Sequence, residues 1–310
     1  MKQLRFATRM LLGSRQARAD HRRSRQQWAA PAPGIKRLFP NCLETDQTQD
    51  SEAPIFILSA GWRSGSTLLQ RLICSGEEVL IWGEPYDRAT PIQSLARMAA
   101  PFSTAWPPDD YAKPSDDLSV LASSWVANLY PPEPALRAAH RAFLTALFAE
   151  PARALGAQRW GFKEVRLGYA EALYLQALFP KARFLFIRRK LVDAYRSYRD
   201  FSPGMAWYAD WPGAPVFTPY GFAKHWARLS VELARAARDT GGVLIEYEDL
   251  AAGAVDWARL SEYCGFPIDD SVLKRKVGGR RADAAEQVSW LEQAGLALGR
   301  RAYRDQSRAQ

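Results

Sequence analysis

The uninterrupted apolar run Ile55-Phe56-Ile57-Leu58-Ser59 constrains the fold more than any other stretch of this chain. A short run without polar alternation marks a strand covered on both faces. Arg183-Phe184-Leu185-Phe186-Ile187 is a second run of this kind and gives the strongest strand signal in the sequence. Val79-Leu80-Ile81, Trp160 to Lys163 and Val243-Leu244-Ile245-Glu246 read as further strands. Between them lie helix-length segments: Ser66 to Ile73, Gly168 to Phe179, a stretch from about Leu191, and Asp256 to Tyr263. Residues 91–155 read as mostly helical, broken at Pro107-Pro108 and Pro131-Pro132. Buried strands separated by helices require parallel crossovers, so the expected fold class is α/β, a three-layer sandwich with a central parallel sheet. No internal repeat is visible.

The chain is long enough for one large or two small domains, and its 47% hydrophobic content suits a sizeable core. It contains no apolar run of membrane-spanning length. The formal net charge of +9 resides in the tails. Residues 1–28 carry +7 and residues 300–310 carry +3, which leaves the 29–299 body near −1. A near-neutral body argues against a broad nucleic-acid face. Cys42, Cys74 and Cys264 form no CxxC pair, and His21, His140 and His225 form no HExxH, so no metal site is expected. The cysteines read as buried free thiols in a reducing, cytoplasmic setting. Residues 1–50 read as a basic, mobile arm, dispensable for chemistry, with Leu4 to Leu12 suited to weak contact with an anionic membrane. Residues 51–285 read as the main domain, and 286–310 as a C-terminal helix with a basic tail.

Ligands of parallel sheets bind at the carboxyl ends of the strands. The first strand runs into Ala60-Gly61-Trp62-Arg63-Ser64-Gly65-Ser66-Thr67, where small residues allow backbone N–H groups to converge at the positive end of the next helix. In the nucleotide P-loop pattern, Gly65 and Thr67 fit, but Ser66 stands where the phosphate-binding Lys belongs and the cation is Arg63 instead. Arg63-Ser64-Gly65-Ser66-Thr67 resembles the 5′-phosphosulfate loop of sulfotransferases that use 3′-phosphoadenosine 5′-phosphosulfate (PAPS). The resemblance implies a P-loop-like sulfotransferase fold and a grip on the 5′-phosphosulfate by Arg63 and the amides of residues 64–67. Leu68 departs from the family, many members of which place Trp there beneath the adenine.

The strongest strand leads into Arg188-Arg189-Lys190, and Ser197 lies eight residues beyond Arg189 on the following helix. This spacing is similar to the family's 3′-phosphate motif. A strand-end Arg and a Ser leaning toward the helix N-terminus can meet one phosphate. Arg188 is a close rival to Arg189. Tyr247-Glu248-Asp249-Leu250 resembles another family segment, which implies a cofactor-binding role for Tyr247. Gly278-Gly279-Arg280 is a weaker match to a C-terminal glycine-rich loop. The resemblance covers about residues 54–280.

Sulfuryl transfer, like phosphoryl transfer, needs positioning, positive charge and a base for the acceptor hydroxyl. Lys163 ends the third strand, where the family often has Lys. Many members have His two residues later, where this chain has Val165. Others use a glutamate after the second strand, which here implies Glu84, with Glu164 as the rival base. The aromatic stretch 201–226, including Trp207, Trp211, Phe222 and Trp226, reads as an irregular loop that either walls the acceptor site or packs on the body. The 86–130 insertion is expected to form the other wall. The expected activity is sulfuryl transfer from PAPS, without metal, to a carbohydrate or to a small phenol or alcohol. A P-loop kinase or ATPase is the alternative, and Ser66 in the Lys position weighs against it.

Overall fold

The computed structural model describes residues 19, 30–40, 53–86, 89–103, 106–108, 111, 118–201, 216–275 and 287–308. Its centre is a five-stranded sheet in the order β2-β3-β1-β4-β5, with β1 Ile55–Ser59, β2 Val79–Trp82, β3 Arg159–Glu164, β4 Arg183–Arg188 and β5 Val243–Glu246. Every pairing is parallel, with Ile55 opposite both Gly161 and Arg183. The expected α/β class and central parallel sheet are therefore present, and each predicted strand falls on an observed one.

Alternation along β1 builds two cores. Phe56 and Leu58 join Phe162, Phe184 and Phe186 on one face. Ile55 and Ile57 join Leu185, Ile187 and Ile245 on the other. The first face is covered by α1 (Ala32–Leu38), α3 (Pro91–Met98), α4 (Glu133–Leu144) with its continuation α5 (Glu150–Ala154), α6 (Tyr169–Leu178) and α8 (Pro219–Thr240). The second is covered by α2 (Ser66–Ile73), α9 (Tyr247–Ala252) and α10 (Trp257–Cys264). The helix α7 (Leu191–Phe201) follows β4, and the C-terminal helix α11 (Trp290–Arg308) lies along α8. Glu292 ties α11 down: it accepts from the Ser289 amide, Tyr195 Oη and Arg199, and these bonds hold its carboxyl down at about 2.

Three expectations need correction. Residues 32–39 do not belong to a detached arm, because Ile35, Leu38 and Phe39 are buried in the main core. Gly34 lets α1 close onto the turn after α3, where an added Cβ would lie 1.8 Å from the Ala99 carbonyl oxygen. The aromatic stretch is not a loop throughout, since α8 begins at Pro219 with Thr218 as its cap and carries both Phe222 and Trp226. Trp207, Tyr208 and Trp211 lie outside the described residues, as do Cys42, Gly278-Gly279-Arg280 and the Leu4–Leu12 segment. Cys264 is buried but Cys74, at the end of α2, is exposed.

The first correction carries a prediction. Burying an aliphatic or aromatic side chain contributes roughly 1.5–3 kcal/mol, so losing Ile35, Leu38 and Phe39 together should destabilise the body substantially. A chain starting at residue 41 is expected to melt at least ~10 °C below a chain starting at residue 30. Equal melting temperatures by calorimetry would show that α1 contributes nothing to the core.

Candidate active site

The loop after β1 is held from beneath by its own hydroxyls. Ser59 Oγ donates to the Gly61 carbonyl at 2.8 Å, and Ser64 Oγ donates to the Ala60 and Gly61 carbonyls at 3.2 and 3.0 Å. Ser64 is fully buried and its side chain is committed to the turn. Gly61, Arg63 and Gly65 all have left-handed backbones, with φ of +87°, +63° and +90°. For Arg63 this conformation is strained, and such strain concentrates at functional sites. Gly65 caps α2, so the first-turn amides from Ser66 onward open at the loop's mouth.

Three further residues close around this loop. Arg63 Nε donates to Ser197 Oγ at 3.0 Å, joining the loop to α7. Arg189 Nη1 donates to the Arg63 carbonyl at 3.3 Å, and its guanidinium lies over the Tyr247 ring, 4.3 Å from the centroid. The Arg189 carbonyl accepts from Trp226 Nε1 at 3.0 Å, which anchors the strand end to α8. Arg189 Nε is buried and has no hydrogen-bond partner among the described residues. Arg188 points elsewhere and pairs with Glu246 at 2.6 Å. Tyr247 fills the space above Gly65, where a Cβ would sit 2.1 Å from the ring.

The opposite wall comes from the ends of β2 and β3. Lys163 is a buried residue whose Nζ donates to Glu84 Oε1 at 2.7 Å. Arg166 reaches the other oxygen, Glu84 Oε2, at 3.2 Å. The same guanidinium pairs with Glu164 Oε2 at 2.9 Å, while Glu164 Oε1 accepts the Val165 amide at 2.7 Å. Glu164 is only 2% exposed, and burial pushes its carboxyl up from the usual range, partly offset by Arg166. Of the rival bases, Glu84 lines the cleft and Glu164 does not.

The cleft between these walls encloses about 350 Å³. Arg63, Gly65, Ser66, Thr67, Glu84, Lys163, Arg189, Ser197 and Tyr247 all line it, together with Trp62, Leu68 and Val165. Ser64 is the one expected site residue that does not. Arg166 was not anticipated, although it stands only two residues beyond the end of β3. Among the described residues, no cluster of His, Cys, Asp or Glu is placed to hold a metal ion. No described helix is long and apolar enough to cross a membrane.

A parallel sheet whose central strand opens into an amide-rich loop, with Arg63, Lys163 and Arg189 facing the same cleft, defines an α/β protein equipped for a polyanionic ligand. The chain belongs to the sulfotransferase family, whose sequence model matches residues 54–270. Among solved structures it is similar to the sulfotransferase domain of the olefin synthase from Synechococcus PCC 7002, at 16% identity and a TM-score of 0.38, covering 78% of this chain and 85% of that one. It is also similar to a sulfotransferase from Alicyclobacillus acidocaldarius, at 14% identity and a TM-score of 0.36, covering 81% and 96%. No curated protein sequence matches.

Proposed function

We propose that the protein transfers a sulfuryl group from PAPS to an acceptor hydroxyl. The observation that carries this reading is the junction of two anion-binding elements at one cleft wall. Arg63, on the phosphate loop, bonds to Ser197, and Arg189 bonds back to Arg63. The loop amides and Arg63 suit a 5′-phosphosulfate, and Arg189 with Ser197 suits a 3′-phosphate. Arg189 Nε, buried and without a hydrogen-bond partner among the described residues, is a donor that an anionic oxygen would satisfy. Arg188 is already neutralised by Glu246, which favours Arg189 as the 3′-phosphate ligand. Tyr247 supports the site by stacking against Arg189.

In this reading Glu84 is the general base. It takes the acceptor proton as the new S–O bond forms and the S–O bond to the donor's bridging oxygen breaks. Lys163 holds Glu84 Oε1 beforehand and turns its ammonium toward the leaving oxygen as charge develops there. Arg63 and the loop amides stabilise charge on the transferred group. The acceptor class is a carbohydrate first, then a small phenol or lipid-linked alcohol, then a peptide tyrosine. The setting is cytoplasmic, with the basic N-terminal residues available for weak contact with an anionic membrane. A kinase or ATPase is disfavoured because Ser66 occupies the position of the phosphate-binding Lys and β4 ends in arginines.

Calorimetry tests the donor directly. Adenosine 3′,5′-bisphosphate is expected to bind far more tightly than ATP, with no requirement for Mg²⁺. Equal affinity for ATP with metal dependence would remove the sulfotransferase reading. An acceptor screen with labelled PAPS then identifies the product.

A further inference from the structure

We propose that Arg166 is a positioning residue that sets the orientation of Glu84, an assignment that rests on the reading of Glu84 as the base. Glu84 stands on the loop just beyond β2 and is half-buried, so little in its own segment fixes its carboxylate. Arg166 lies just beyond β3, the strand paired with β2 through Trp82 and Phe162. Its side chain is 1% exposed and bridges two acids, with Nη1 on Glu84 Oε2 and Nη2 on Glu164 Oε2.

A guanidinium is a rigid planar fork, so its two donors hold the two carboxylates at a set separation. Lys163 engages only Oε1, and a single contact leaves the carboxylate free to swing about it. Arg166 supplies the second point, and two points define the carboxylate plane. Glu164 has a complementary part as the buried counter-charge that holds Arg166. Its Oε1 is committed to the Val165 amide and its Oε2 to Arg166, which leaves it in neither position to face an acceptor. Lys163 can leave Glu84 for the donor during the reaction while Arg166 keeps the base in place.

A purely structural alternative exists: Arg166 neutralises buried Glu164, and its contact with Glu84 is incidental. The two differ in whether the effect of Arg166 passes through Glu84. Removing Arg166 alone strands a buried carboxylate and risks misfolding, so the test uses the paired variant Arg166→Gln/Glu164→Gln, which leaves no uncompensated buried charge. Its kcat is expected to fall by about 10²-fold, as for a misplaced catalytic group. Affinity for adenosine 3′,5′-bisphosphate should not change. Arg166→Lys, which keeps the charge but not the fork, should lie between this variant and the parent. In the Glu84→Gln background the paired change should cost no more than about twofold further. An equal loss with and without Glu84, or full turnover of the paired variant, would overturn the proposal while leaving Glu84 as the base. Full turnover of Glu84→Gln by itself would instead remove the base assignment, and the role of Arg166 with it.

Discussion

Glu84→Gln is expected to lower turnover by about 10²–10⁴-fold, the range for loss of a general base. Glutamine keeps the size and can still accept a hydrogen bond from Lys163, so the cleft should stay formed. What it cannot do is take the acceptor proton. Affinity for adenosine 3′,5′-bisphosphate should change little, because the assigned donor contacts, Arg63, Arg189 and Ser197, lie across the cleft. The kinetic signature is therefore a loss in kcat with nucleotide binding retained. Glu164→Gln provides the comparison: it removes the buried counter-charge of Arg166 and reaches Glu84 only through that guanidinium, so its loss is expected to be smaller than that of Glu84→Gln. If Glu164→Gln caused the larger loss and Glu84→Gln were nearly silent, the base would have to be reassigned.

Gly65→Ala is expected to weaken donor binding by about 10²-fold. A left-handed backbone costs a non-glycine residue roughly 1–2 kcal/mol, and Gly65 sits at φ +90°. The added methyl would also lie 2.1 Å from Tyr247 Cδ2 and 2.6 Å from Cε2. Overpacking of this kind costs typically 1–3 kcal/mol. Relief requires the Tyr247 ring to move, and the Arg189 guanidinium rests on that ring. The substitution thus strikes the loop directly and the 3′-phosphate wall indirectly. Titration with adenosine 3′,5′-bisphosphate gives the readout, and unchanged affinity would show that the loop's present shape is unnecessary for binding.

Where function depends on strand ends, the primary structure was readable. β1 and β4 are contiguous apolar runs, and the shorter Trp160-Gly161-Phe162 marks β3, so the carboxyl ends, and hence Arg63, Lys163 and Arg189, fall on one edge of the sheet from the primary structure. Glu84 came instead from the family resemblance, which places a glutamate just after the second strand. Side-chain direction beyond a strand end was not readable, and this is where Arg166 and its pairing with Glu164 escaped: that pairing depends on how the chain turns after Glu164. Helix α1 was hidden for another reason. It spans only Ala32–Leu38, follows a basic stretch and Pro31, carries Pro33 in its first turn, and gains its stability from packing on α6 rather than from its own pattern. Helix α8 was entered late because Pro219 and Gly221 look like loop residues, although Thr218-Pro219 is a good helix start once the cap is recognised.

The neighbouring arginines at the end of β4 have a consequence for how this site tolerates change. Arg188 and Arg189 are chemically identical, and only their surroundings tell them apart: Glu246 on β5 occupies Arg188, while Tyr247, the very next residue, receives Arg189. One edge strand thus sorts the pair, a carboxylate drawing one guanidinium aside and a ring seating the other. The discrimination is written in two consecutive residues of β5 and α9 rather than in the arginines themselves. A shift of β5 by a single position would exchange their partners and send the sorting awry, even with both arginines unchanged. The edge of the sheet thereby acts as the reading frame of the anion site.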